Sequence, residues 1–115
     1  MGVRNIVQAI PLTSVLSSAI NASTYTAITA AGGLPAACFL LRINSTSTTD
    51  VTISYDGVND HEFLLHGTSM QIESQANNRP QNSVALFPAG MVVYAKGTAG
   101  TGSIYLSGYY QPSGV

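Results

Sequence analysis

Short stretches in which apolar and polar residues alternate are interrupted about every 8 to 12 positions by Gly, Pro, Asn, Asp and Ser. That spacing predicts an all-β fold, a single antiparallel β-sandwich of about eight strands with jelly-roll-like wrapping, and not βαβ units. Val51-Thr-Ile-Ser-Tyr55 shows the pattern most clearly, with Val51, Ile53 and Tyr55 expected inward and Thr52 and Ser54 outward. Asp56-Gly57 follows as a turn, because glycine accepts the positive φ of primed turns. Further strands are expected over residues 38–44, 61–65 and 70–74, the last with Met70 and Ile72 inward. Weaker ones are expected over 12–20 and 25–29, and 84–87 reads as a short apolar piece stopped by Pro88 and Gly90. Residues 91–96 and 103–110 read as a final hairpin closed by the glycine-rich segment 97–102. Residues 3–10 read as a strand or as an extended N-terminal arm, within residues 1–11, laid on a neighbour. Helix has little support, since β-branched residues, Ser, Thr and Gly are too frequent. The 115 residues make one domain.

The surface of such a fold would be short of charge. The chain has four basic and five acidic residues, while 45% of it is hydrophobic. A compact chain of this length exposes about 6,000 Å², which leaves about one charge per 650 Å². Soluble surfaces ordinarily hold far more, roughly a quarter to a third of residues with both signs mixed. Here thirteen serines and eleven threonines supply the polarity, and these hydrogen-bond without the desolvation cost of an ion. A surface of this kind suits a subunit enclosed by other protein. Sheet edges are normally protected by lysine, proline or bulges. With a single lysine in the chain, neighbours are expected to cover the edges. The net charge of −1 gives no general attraction to nucleic acid or to an anionic membrane, so neither is expected as a partner. No segment is expected to span a membrane, and neither a signal peptide nor an N-myristoylation site is expected at the start.

The polar clusters reduce to structural readings. Asp56-Gly-Val-Asn-Asp-His-Glu62 is rich in oxygen ligands, as a Ca²⁺ loop would be. Its spacing is not that of such a loop, and turn residues bonding their own backbone explain it better. His61 and His66, five positions apart, would lie on opposite faces of a strand, so one zinc ion could not easily reach both. Cys38, the only cysteine, sits in an apolar run and reads as a core residue, not a thiolate nucleophile. Residues 96–102 look superficially like a phosphate cradle, but they lack Gly-Lys-Ser/Thr and a following helix. The sequons at Asn21 and Asn44 carry no weight without secretion. No catalytic residue, metal ligand or cofactor is assigned.

The aromatic residues gather late, as Tyr94, Tyr105, Tyr109 and Tyr110. In an extended strand Tyr105 and Tyr109 share one face and Ile104 and Leu106 the other, so an Ile/Leu core leaves the tyrosines outward for contact. The expected contact residues are Tyr105 and Tyr109, Val3, Ile6, Val7 and Ile10 of the arm, and Asn77, Asn78 and Arg79 of the irregular stretch 75–83.

Two runs resemble a known group. Leu41-Arg-Ile-Asn-Ser, continued by Asp50-Val-Thr-Ile-Ser-Tyr-Asp-Gly-Val-Asn-Asp-His61, and Met91-Val-Val-Tyr-Ala-Lys-Gly with Gly102-Ser-Ile-Tyr-Leu-Ser-Gly-Tyr-Tyr110 are similar to small β-sandwich structural proteins of tailed-bacteriophage virions. The resemblance covers about residues 24–110 and brings no active-site residues with it. It implies a non-enzymatic role in the virion, assembled in the bacterial cytoplasm. The first expectation is a capsid decoration (cement) protein that binds the major capsid protein and itself as a homo-oligomer, a trimer being one such form. An adaptor or collar at the portal, tail or fibre attachment is the alternative. A lectin-like module binding glycan or Ca²⁺ is the second alternative.

Overall fold

A computed structural model of the chain describes residues 7–74 and 86–111. The described residues form nine strands and no α-helix: β1 (Gln8–Ala9), β2 (Thr13–Leu16), β3 (Thr26–Ala27), β4 (Leu40–Ser45), β5 (Val51–Ser54), β6 (Glu62–Leu64), β7 (Ser69–Glu73), β8 (Tyr94–Lys96) and β9 (Ser103–Tyr110). All pairings are antiparallel. One sheet has the order β2-β9-β4-β7, with β1 beside β2 on the same edge of β9, and the other has the order β3-β8-β5-β6. The pairs β2–β9, β3–β8, β4–β7 and β5–β6 are nested one inside another, so the chain is a single long hairpin wrapped around a core, which is jelly-roll topology.

Both sheets turn one face to a shared core. Leu41, Ile43, Ile104 and Leu106 come from the first sheet, and Val51, Ile53, Leu64 and Ala95 from the second. Ile28, Leu34, Cys38 and Val93 fill its open end. Burying a side chain of this size contributes about 1.5–3 kcal/mol, so alternation in β4, β5 and β9 is enough to set which face turns inward. Met70, Ile72 and Tyr55 pack on the core's margin on the sides expected of them.

Several boundaries and one connection differ from the sequence reading. The expected hairpin over 91–110 does not form. β8 and β9 lie in opposite sheets, and residues 97–102 cross between them. Two adjacent apolar runs joined by glycines look alike whether their strands pair or face each other. Only the long-range partners of β9, namely β2 and β4, distinguish the cases. The strand expected over 12–20 ends at Leu16, where Ser17–Ala19 tightens into a 3₁₀ turn and Ile20 enters the core. Cys38 lies before β4 and makes a lone bridge to Phe87, each accepting the other's N–H at 2.8 and 2.7 Å. Ser54 shares the outer face with its partner Tyr94 but is fully buried there, because the turn after β5 folds back with Gly57 against the Tyr94 ring. Its hydroxyl accepts the Gly57 N–H at 2.9 Å and donates to Asp56 Oδ1 at 3.0 Å.

Candidate interaction surface

β9 runs through the middle of its sheet, and its alternation places Ile104, Leu106 and Gly108 against the core. Tyr105, Ser107 and Tyr109 therefore stand half-exposed on the outward face, as the sequence reading required. Register supplies their neighbours. Tyr105 lies between Ser14 and Asn44, Ser107 beside Arg42, and Tyr109 between Ala9 and Leu40. Arg42 donates to Gln71 Oε1 at 3.1 Å, so its charge is held toward β7, which also carries Glu73. Residues 7–19 and 97–111 contain no charged residue. The β1, β2 and β9 part of this face is thus uncharged, broad and aromatic.

The sequence reading missed two residues that extend it. Leu12 and Leu16 are 63% and 62% exposed, in the same alternation as Ser14 and on the tyrosine side. Thr13 and Val15 take the inward positions, opposite Leu106 and Ile104. This inverts the usual preference. Two leucines face out while the Thr13 hydroxyl is buried with no partner among the described residues. Leaving such a hydroxyl unmet costs about 1–3 kcal/mol. The signal was present in Leu12-Thr-Ser-Val-Leu16, where either face could have been called apolar, and only the pairing with β9 assigns them.

The other expected contact residues divide. Val7 is exposed. Ile10 is 6% exposed and belongs to the chain's own core, its N–H bonded to Gly108 O at 3.0 Å, so it is removed from the contact surface. Gln8 and Ala9 likewise lie on the chain's own β9, and the Tyr110 hydroxyl donates to Gln8 Oε1 at 2.8 Å. Val3, Ile6, Asn77, Asn78 and Arg79 lie outside the described residues. Tyr94 is on the outer face of the other sheet, packed edge-on to Tyr25 with 6.2 Å between ring centroids.

The polar clusters are occupied by local partners. Asp56 Oδ1 accepts the N–H groups of Val58 and Asn59 at 2.8 and 2.9 Å, and its Oδ2 accepts from the Asn59 amide at 2.9 Å. These donors, the Asn59 N–H foremost, hold its carboxyl far below the usual carboxylate range. Asp60 instead accepts from the Tyr25 hydroxyl and pairs with Lys96 at 3.2 Å, and Lys96 lies 4.6 Å above the Tyr25 ring. The His61 ring stacks on Tyr55 and its Nδ1 accepts the Tyr55 N–H at 3.0 Å, while His66 pairs with Asp50 at 2.8 Å. His61 Nε2 also lies 3.9 Å from Asp56 Oδ2, so each imidazole faces a single carboxylate, and no group of three or more potential metal ligands occurs among the described residues. Cys38 is buried, which pushes its thiol pKa up. Three N–H groups of the segment 97–102 are already bonded within the chain. Gly97 and Gly100 donate to Asn21 O and Ser17 O, and Thr101 N–H donates to Thr48 Oγ1.

The aspartates are expected to make the fold acid-sensitive. Asp50 is lowered chiefly by the His66 side chain, Asp60 by the Tyr25 hydroxyl, and Asp56 by its turn. A carboxyl whose pKa falls on folding adds stability above its unfolded pKa, about 3.9, and that contribution disappears as pH falls through the folded value. The melting temperature should accordingly stay level from pH 7 to 5 and drop below about pH 4. Asp56→Asn should melt lower than wild type at pH 7, and the gap should narrow toward pH 2. A gap independent of pH would show that the carboxylate charge contributes nothing to the turn.

A cavity of about 280 Å³ opens between Pro11 and the loop 29–35, walled by Ile10, Leu34, Pro35 and Leu106. Comparison of the chain with protein-family models, with curated proteins and with solved structures gives no match.

Proposed function

We propose that this chain is a non-enzymatic structural subunit of a bacteriophage virion, a capsid decoration protein that acts as a homo-oligomer and binds the shell through the outward face of β9. The single observation that carries this reading is the uncharged face of Tyr105, Tyr109, Leu12 and Leu16 on a sheet whose other side is already committed to the core. Tyrosine supplies contact area at low conformational cost and dominates many interface centres. The resemblance of residues 24–110 to small virion sandwich proteins supplies the setting. Its mechanism is geometric: many copies bury neutral surface against the shell and each other, and so hold the lattice against internal pressure. A standard contact takes about 800 Å² per partner. Two or three such contacts would cover a large part of the 6416 Å² the chain exposes.

Replacing both Tyr105 and Tyr109 with alanine should weaken attachment to host-derived particles by at least about thirtyfold, as loss of an interface hot spot does. Circular dichroism and melting temperature should stay close to wild type, since neither side chain enters the core. Undiminished decoration by the double variant would remove this face from the reading. Electron microscopy of labelled particles separates the alternatives: label over the whole shell supports decoration, and label at a single vertex supports a portal or tail adaptor.

A further inference from the structure

We propose that β2 is a self-pairing edge, joining antiparallel to β2 of a second copy about a twofold axis at Ser14. The inference rests on the self-association in the reading above and names its contact. Among the described residues β2 borders its sheet, pairing with β9 alone. Ser17 donates to Gly102 O at 2.9 Å, which sets the phase of the ladder. In an antiparallel pair, bonded and non-bonded positions alternate. Val15 and Thr13 therefore exchange bonds with Ile104 and Leu106, while the N–H and C=O groups of Leu16, Ser14 and Leu12 point to the open edge.

The edge carries little protection. Between Ala9 and Thr13 stand Ile10, Pro11 and Leu12, whereas only Ser107 and Gly108 separate Tyr109 from Leu106, so Pro11 sits in a bulge that shields the β1 end. Beyond it, Leu12-Thr-Ser-Val-Leu16 has no charge, whereas the edges formed by β7 and β6 each include a glutamate.

The segment is also self-complementary. In an antiparallel pair centred on Ser14, Leu12 falls opposite Leu16 of the second copy and Leu16 opposite its Leu12, with the two Ser14 residues facing each other. All three pairs have the open backbone groups, giving about six hydrogen bonds. Each exposed leucine then meets a leucine on the same outward face, which accounts for the inverted pattern of β2. Such a contact is isologous and closes as a dimer. It also makes one continuous surface, with Tyr105 of each copy separated by the paired serines.

The test uses the full chain and three measurements. Wild type should give a dimeric mass by light scattering at micromolar concentration. Ser14→Lys sets two like charges opposite each other on the axis, which is destabilising for a strand pair, and should raise the dimer dissociation constant at least about tenfold with unchanged circular dichroism. Ser14→Cys should form a covalent dimer with oxidised glutathione, since bonded pairs hold Cα atoms about 5.5 Å apart, within disulfide range. An oligomer that survives Ser14→Lys while Ser14→Cys stays uncrosslinked would overturn the edge contact and leave self-association standing. A discrete trimer would overturn it in the same way. A wild-type monomer with no crosslinking would overturn both edge contact and self-association, leaving shell binding to the Tyr105/Tyr109 variant.

Discussion

Replacing Gly102 with alanine is expected to lower the unfolding free energy by about 2–4 kcal/mol, more than a left-handed conformation alone explains. Gly102 has φ +88°, and a Cβ there would run into the Thr46 carbonyl oxygen and lie 3.0 Å from Ser47 N. Both obstacles are backbone, so no rotamer change relieves them. The approach is pinned on each side. Thr46 N–H donates to Ser103 O at 2.9 Å, Ser103 N–H donates to Thr46 Oγ1 at 3.0 Å, and Gly102 O accepts from Ser17. Moving the segment aside would break the seam where the chain crosses from one sheet to the other. Gly32 is the internal control: its φ is +90°, but a Cβ there meets nothing within 4 Å. Gly32→Ala should cost only about 1–2 kcal/mol, the price of the conformation. Urea unfolding of both variants measures the difference. Equal losses would mean that Gly102 is needed for its φ and not for the close approach.

The second large effect lies beneath β9. Leu41→Ala should cost about 2–5 kcal/mol, since Leu41 is fully buried and its removal leaves a cavity between the sheets. Gly108→Ala should also destabilise, by about 1–3 kcal/mol, because a Cβ would sit 2.9 Å from Leu41 Cδ2 and 3.0 Å from Ile10 Cδ1. Together the two should cost less than the sum of the single losses. The alanine methyl at 108 enters space that Leu41 has vacated, and contacting residues commonly couple by about 0.5–3 kcal/mol. Additive losses would show that β4 and β9 do not pack at this point as described. The result bears on the surface too, since Gly108 lets Ile10 and β1 lie close over β9 beside Tyr109.

How far the chain could be read in one dimension depended on the range of the interaction involved. The inward set of β5 and β9 was legible because alternation is local, and a buried Ile53 or Ile104 outweighs any competing preference. The Asp56 turn was legible for the same reason: its acceptors and donors lie within a few residues. The outward placement of Tyr105 and Tyr109 followed from Ile104 and Leu106 alone. The outward side of Ser54 was legible but its burial was not, because the turn that covers it packs against Tyr94, forty residues on. Ile10 was misread as a contact residue because a short apolar run near a terminus does not reveal which surface it covers. The hairpin expected over 91–110 failed because local pattern cannot tell a strand pair within a sheet from two strands facing across a core.

The sequence by itself determined the class of fold, the neutral character of the surface and which side of β9 is free. Each follows from composition or from a period of two, and both are properties of neighbouring residues. Tertiary structure alone decided the nested pairing of the strands, the face that β2 turns outward and its place at the sheet's edge among the described residues. Those choices come from backbone pairing between strands distant in sequence, up to some ninety positions for Thr13 with Leu106, which no local pattern encodes.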